Sequence, residues 1–241
     1  MNAVLKLTRA SLHILVGFFT ILLLFPHLSP EQRQLRTQRW SRAMLRCIGI
    51  QLIVKGNCAV PGPLLMVANH MSWLDITALH AARFCRFVSK ADIKKWPFIG
   101  MLASGIGTLF IERESRRDAM RVVHSMTDSL RAGDVLGVFP EGTTSDGSGL
   151  LAFHANLFQA AIAANAPVQP VALQFIDTRT GKRSAAACYI NDDSLAQSVW
   201  RAVTTPDLAV VITFGEPQWA QGRDRRAWAL AMHQAVAALR A

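Results

Sequence analysis

Six short, almost unbroken apolar runs recur along the chain after Gly56: LLMVAN (64–69), RFVS (86–89), TLFI (108–111), VLGVF (135–139), VQPVALQF (168–175) and LAVVITF (208–214). Apolar runs of this length without polar alternation suit strands covered on both faces, as in sheets sandwiched between helices. Between them the period changes. Over 115–131, Ala119, Val122, Val123, Met126 and Leu130 fall on one helical face, and 153–164 and 224–240 also read as helices. The alternation predicts an α/β fold with a mostly central β-sheet flanked by helices. The stretch 177–207 has no period and is left irregular.

Ahead of this body lies the apolar run LHILVGFFTILLLFP (12–26), shorter than the roughly 20 residues a helix needs to cross a hydrocarbon core, which leaves open whether it spans the bilayer or occupies one leaflet. The basic stretch that follows, HLSPEQRQLRTQRWSR, has no small-residue cleavage site, and the run is expected to be retained. Beyond it, Leu35, Trp40, Met44, Leu45 and Ile48 recur at helical spacing among arginines. Such a helix either lies in a bilayer interface or packs its stripe on the protein's own core. Residues 1–50 are thus expected to form a membrane-anchoring helix pair, and 51–241 the globular domain.

Composition narrows the partners. Hydrophobic residues make up 51% of the chain and charged residues 17%, which excludes a disordered tail protein. The net charge of +10 calls for an anionic partner. Lys6, Arg9, Arg33, Arg36, Arg39, Arg42 and Arg46 sit beside apolar sequence, and no nucleic-acid motif is present, so a membrane surface is the expected partner and nucleic acid is not. Cys47, Cys58, Cys85 and Cys188 are far apart, with no spacing that suggests a zinc site or a disulfide framework.

Polar segments follow three of the apolar runs, and strand ends are where α/β sheets gather ligand groups. The first, N-H-M-S-W-L-D, places Asp75 five residues after His70. On one helix that offset is about 140° around the axis, so His70 must lie in the turn before the helix for Asp75 to reach its Nδ1. Asn69 and Ser72 suit such a turn. Asp75 would then fix the tautomer and leave Nε2 to take a proton from a hydroxyl. No G-x-S-x-G motif offers a competing nucleophile. The second segment, F-P-E-G-T-T-S-D-G (139–147), is a turn that can bring backbone amides near an oxyanion or phosphate, with Glu141 either binding an acceptor hydroxyl or holding the loop. Arg113 and Lys90 follow two further strands and are cations suited to phosphate. Lys94, Lys95, Arg116 and Arg117 read as solvated faces.

In this order, N-H-M-S-W-L-D (69–75), G-T-L-F-I-E-R (107–113), F-P-E-G-T-T-S (139–145) and V-Q-P-V-A-L (168–173) resemble the glycerolipid acyltransferase family that includes 1-acylglycerol-3-phosphate O-acyltransferases. The resemblance implies a glycerol-3-phosphate acyltransferase-like fold. It also implies transfer of a fatty acyl group from acyl-CoA or acyl carrier protein to lysophosphatidate, giving phosphatidate, without a covalent acyl-enzyme. In that reading His70 is the base and Asp75 orients it. Arg113 and Lys90 hold the acceptor phosphate, while Glu141, Gly142 and Thr143 shape the acceptor site. No metal or organic cofactor is expected. The anchor would sit in the cytoplasmic (inner) membrane, with the catalytic domain facing the cytoplasm.

One position departs from the pattern. Relatives acting on lysophosphatidate usually carry E-G-T-R, and here Thr144 stands where that arginine would be. A different lyso-lipid, such as a lyso-ornithine lipid, is therefore the alternative acceptor. Two other readings compete: a thioesterase in which His70 activates water, and a basic membrane-binding module without catalysis. The second leaves the four ordered blocks unexplained.

Overall fold

A computed structural model describes residues 2–96, 98–111, 116–190 and 193–241. Seven strands form one sheet: β1 (Gln51–Lys55), β2 (Leu64–Ala68), β3 (Arg86–Lys90), β4 (Leu109–Ile111), β5 (Val135–Val138), β6 (Val168–Asp177) and β7 (Leu208–Phe214), in the order β1-β7-β6-β2-β5-β3-β4. All neighbouring pairs are parallel except β6 with β7. The six expected strands are all present. β1 was not anticipated: it lies at the sheet edge, and Val54 is left exposed, so it lacks the nearly continuous burial of β2 and β7.

The side chains of β2 show why the sheet is central. All five are buried, and because successive residues point to opposite faces they feed two separate cores. Leu64, Met66 and Ala68 join a cluster with α2 (Pro30–Ile48), α3 (Leu74–Ala82) and α7 (Leu195–Thr204). Leu65 and Val67 join the other, with α5 (Arg116–Arg131), α6 (Phe158–Ala164) and α8 (Arg225–Leu239). Two-sided burial is what selected long apolar runs over alternating ones.

Two helices arise from signals that periodicity did not supply. α7 falls in the stretch left irregular, and its start is a capping box in which Ser194 and Gln197 satisfy each other's backbone N–H groups. α4 (Ile99–Gly105) is a two-turn helix between β3 and β4.

The N-terminal segment is a continuous helical rod, Ala3–His27, made of α1 (Ala3–Phe19), a π-helical turn and a 3-10 turn. At 25 residues it exceeds the apolar run of 12–26, and by length and composition alone it could cross a membrane. Both of its ends nevertheless touch the body. Near one end, Lys6 Nζ donates to the Val203 carbonyl in the last turn of α7 at 2.8 Å. Near the other, Phe18 meets Phe98 edge-on at 5.6 Å. Between them, His13 Nε2 donates to the Trp40 carbonyl at 2.9 Å, Trp40 Nε1 donates to the His13 carbonyl at 3.0 Å, and the two rings stack.

α2 settles the choice its sequence left open. Met44, Leu45 and Ile48 are buried in the core, and Gln38 and Arg42 donate at 2.7 Å to the Ala82 and Ala81 carbonyls at the end of α3. Its apolar stripe packs on the protein's own core, while Leu35 stays exposed.

Candidate active site

The site is built where β2 stops. Asn69 is buried, and its side-chain amide donates to the Leu173 carbonyl at 3.0 Å and accepts from the Leu173 N–H at 2.8 Å. One side chain thus takes the place of the next ladder pair between β2 and β6, and the backbone is free to turn. His70 occupies that turn, before α3 begins at Leu74.

Asp75, in the first turn of α3, folds back over it. Its Oδ2 accepts from the Met71 N–H at 2.6 Å, the Ser72 N–H at 2.8 Å and His70 Nδ1 at 2.8 Å. The helix N-terminus favours a negative group at this position. Asp75 is wholly buried, whereas the imidazole is 19% exposed. With Nδ1–H given to the carboxylate, the neutral ring carries its lone pair on Nε2. Phe139 lies flat against the imidazole at 4.0 Å between centroids, with Phe87 stacked behind it, so the ring plane is fixed as well as the tautomer.

The loop after β5 grips the His70 backbone from both sides. Glu141 Oε1 accepts the His70 N–H at 2.8 Å, and Oε2 accepts the Leu151 N–H at 2.9 Å. Ser145 donates its N–H to the His70 carbonyl at 2.9 Å and its hydroxyl to the same oxygen at 3.2 Å. Burial raises the Glu141 carboxyl above its ordinary range, and the amides of Leu151 and His70 pull it part of the way back. Gly147, at φ 70°, lies so close to Met71 that an added Cβ would come 2.4 Å from its sulfur. Arg183 and Arg240 both donate to the Gly147 carbonyl, and Arg240 also reaches the Gly149 carbonyl at 2.9 Å.

His70, Asp75, Glu141, Gly142 and Thr143 are therefore brought together by the ends of two adjacent parallel strands. Both Glu141 oxygens are engaged by backbone amides, Thr143 is exposed, and the Thr144 hydroxyl donates to the Tyr189 carbonyl. Lys90 closes β3 in the backbone, but its side chain, like the whole of Arg113, lies outside the described residues. Sequence reasoning gave Asn69 only a turn, and passed over Phe139, Ser145, Arg183 and Arg240. Ser145 and Phe139 stand inside the F-P-E-G-T-T-S block, whereas nothing local marks Arg183 or Arg240.

An imidazole held in one tautomer by a buried carboxylate, at the ligand-gathering edge of an α/β sheet, is a base positioned for a hydroxyl or water. Residues 51–174 match the family model described as Acyltransferase. Over 187 residues the chain is 41% identical to a 1-acyl-sn-glycerol-3-phosphate acyltransferase of Neisseria meningitidis, covering 77% of this chain and 72% of that one. Over 204 residues it is 38% identical to a lyso-ornithine lipid O-acyltransferase of Pseudomonas aeruginosa, covering 85% and 78%. The chain belongs to the acyltransferase family. Its fold also matches the crystal structure of the 1-acyl-sn-glycerophosphate (LPA) acyltransferase from Thermotoga maritima, with a TM-score of 0.70 over 99% of this chain and 97% of that one. At 17% identity that likeness is one of fold.

Proposed function

We propose that this acyltransferase moves a fatty acyl group from acyl-CoA or acyl carrier protein to the free hydroxyl of 1-acylglycerol-3-phosphate, giving phosphatidate. The observation that carries the reading is the 2.8 Å bond from His70 Nδ1 to buried Asp75, which leaves Nε2 as the proton acceptor. Nε2 takes the hydroxyl proton as the acceptor oxygen attacks the thioester carbonyl. The tetrahedral intermediate collapses by breaking the carbon–sulfur bond, and the imidazolium returns the proton to the departing thiolate. Asp75 stabilises the imidazolium between the two steps. Lys90 and Arg113 are proposed to hold the acceptor phosphate, and the 141–143 loop to shape the acceptor site. The enzyme would work at the cytoplasmic face of the inner membrane.

A lyso-ornithine lipid is the second reading, favoured by Thr144. Its hydroxyl is committed to the Tyr189 carbonyl and supplies no cation where the resemblance places a phosphate-binding arginine. The 38% identity to the Pseudomonas enzyme supports the same reading. The test supplies purified enzyme with each thioester donor and a panel of lyso-lipids, with His70→Ala alongside. Transfer to lysophosphatidate that vanishes in the variant supports the first reading. Transfer confined to another lyso-lipid selects the second. Full activity in His70→Ala, or thioester cleavage with no acceptor needed, overturns both.

A further inference from the structure

The turn after β3 carries an apolar surface that the catalytic machinery leaves unused. Trp96, Phe98, Ile99 and Met101 expose 47%, 52%, 42% and 40% of their surface. Single exposed apolar residues are ordinary, but four large ones within six positions form a patch. The turn is tightly folded. The Gly100 N–H donates to the Trp96 carbonyl at 2.9 Å, and a Cβ on Gly100 would stand 2.2 Å from the Lys94 carbonyl oxygen. Gly100 therefore faces inward, and its large neighbours face out.

Three placements identify what covers the patch. It is continuous with the exposed face of the N-terminal rod (Leu15, Phe19, Leu22 and Leu23), because Phe18 touches Phe98 and Ile21 lies directly over Gly105. It leaves the sheet on the catalytic edge: β3 runs parallel to β5, and β5 to β2, so the turn emerges beside the ends that carry His70 and Glu141. Lys94 and Lys95 are exposed next to it, outnumbering Asp92, on a chain of net charge +10. Apolar and aromatic side chains flanked by lysines match the boundary between acyl chains and anionic headgroups.

We propose that Trp96, Phe98, Ile99 and Met101 form a second membrane foot, inserted into the same leaflet of an anionic bilayer that receives the N-terminal rod. The inference rests on the reading of the acceptor as a membrane lipid. A rod alone leaves the domain free to roll about the helix axis. A second contact away from that axis stops the roll and sets the catalytic edge against the lipid surface. Leu151, whose N–H is held by Glu141, is exposed at that same edge.

The test uses the full chain and vesicles of phosphatidylcholine and phosphatidylglycerol with brominated acyl chains. The conservative variant Trp96→Phe isolates one indole: the wild type is expected to show a bromine-quenched component that the variant lacks. Identical quenching in the two overturns the contact. In the double variant Phe98→Ser with Ile99→Ser, transfer to vesicle-embedded acceptor is expected to fall about tenfold while transfer to detergent-dispersed acceptor stays within about twofold. Undiminished transfer in vesicles, or an equal loss in both presentations, overturns the role in presenting the site. If the wild type acylates no acceptor in either form, the function reading fails, and the quenching still decides the foot.

Discussion

Glu141 and His70 are 71 positions apart, yet the carboxylate of one holds the main-chain N–H of the other at 2.8 Å and clamps Leu151 with its second oxygen. Glu141 therefore acts on His70 through the backbone. Glu141→Gln keeps one acceptor oxygen but turns an NH2 group toward an N–H, so transfer is expected to fall while the protein stays folded. Glu141→Ala leaves the partly buried His70 and Leu151 amides without their partner and is expected to cost about 1–2 kcal/mol of stability. Thermal denaturation and kcat measured together separate the two effects.

Asp75→Asn tests the charge. All three donors meet Oδ2 while Oδ1 has no partner, so an amide oxygen at the Oδ2 position keeps the hydrogen bonds and loses the negative charge that faces the imidazolium. The rate is expected to drop about a thousandfold or more, by analogy with the loss of the orienting carboxylate in hydrolase triads. A loss of under tenfold in a folded variant would remove Asp75 from the mechanism.

Thr144→Arg tests the acceptor. The substitution breaks the bond to the Tyr189 carbonyl and introduces a guanidinium at the loop beside His70. The ratio of kcat/KM for lysophosphatidate to that for lyso-ornithine lipid is expected to rise about tenfold, as a phosphate gains a charge-assisted partner. An unchanged ratio would place the head group elsewhere.

His80 makes a prediction about acid. It is buried against Phe84 and Phe87, neither ring nitrogen has a hydrogen-bond partner, and burial lowers its pKa to about 4 from an ordinary value of 6.5. Below 6.5 the unfolded chain takes up a proton that the native chain refuses. Stability is therefore intact above that pH and falls through the window between 6.5 and 4, by about 2 kcal/mol at pH 5 and about 3 at pH 4. His80→Leu is expected to leave stability at pH 7.5 little changed and to flatten the loss between pH 7.5 and 5. Parallel melting curves at both pH values check it.

What the sequence disclosed follows the reach of each interaction. Strands buried on both faces announce themselves as apolar runs, so β2 and β7 were found to within a residue, while edge strand β1 did not stand out. His70 and Asp75 were legible because the turn joining them is five residues long. Asn69 pairs with Leu173, 104 positions away, and Arg240 reaches back 93 to Gly147, so neither partner could be guessed locally. α7 is legible in principle through Ser194 and Gln197, but the stretch around it carries no clear helical period.

The Arg240 contacts also have an order in time. Synthesis runs from α1 toward α8, and a domain folds as a unit once its segments are available. The apolar rod is available first, whereas the Gly147 carbonyl meets its second guanidinium only after α8 has docked on the sheet. The Gly147 end of the loop beside His70 is thus fastened only once α8 is in place, so disturbing the docking of that distant helix is felt at the turn that carries the imidazole.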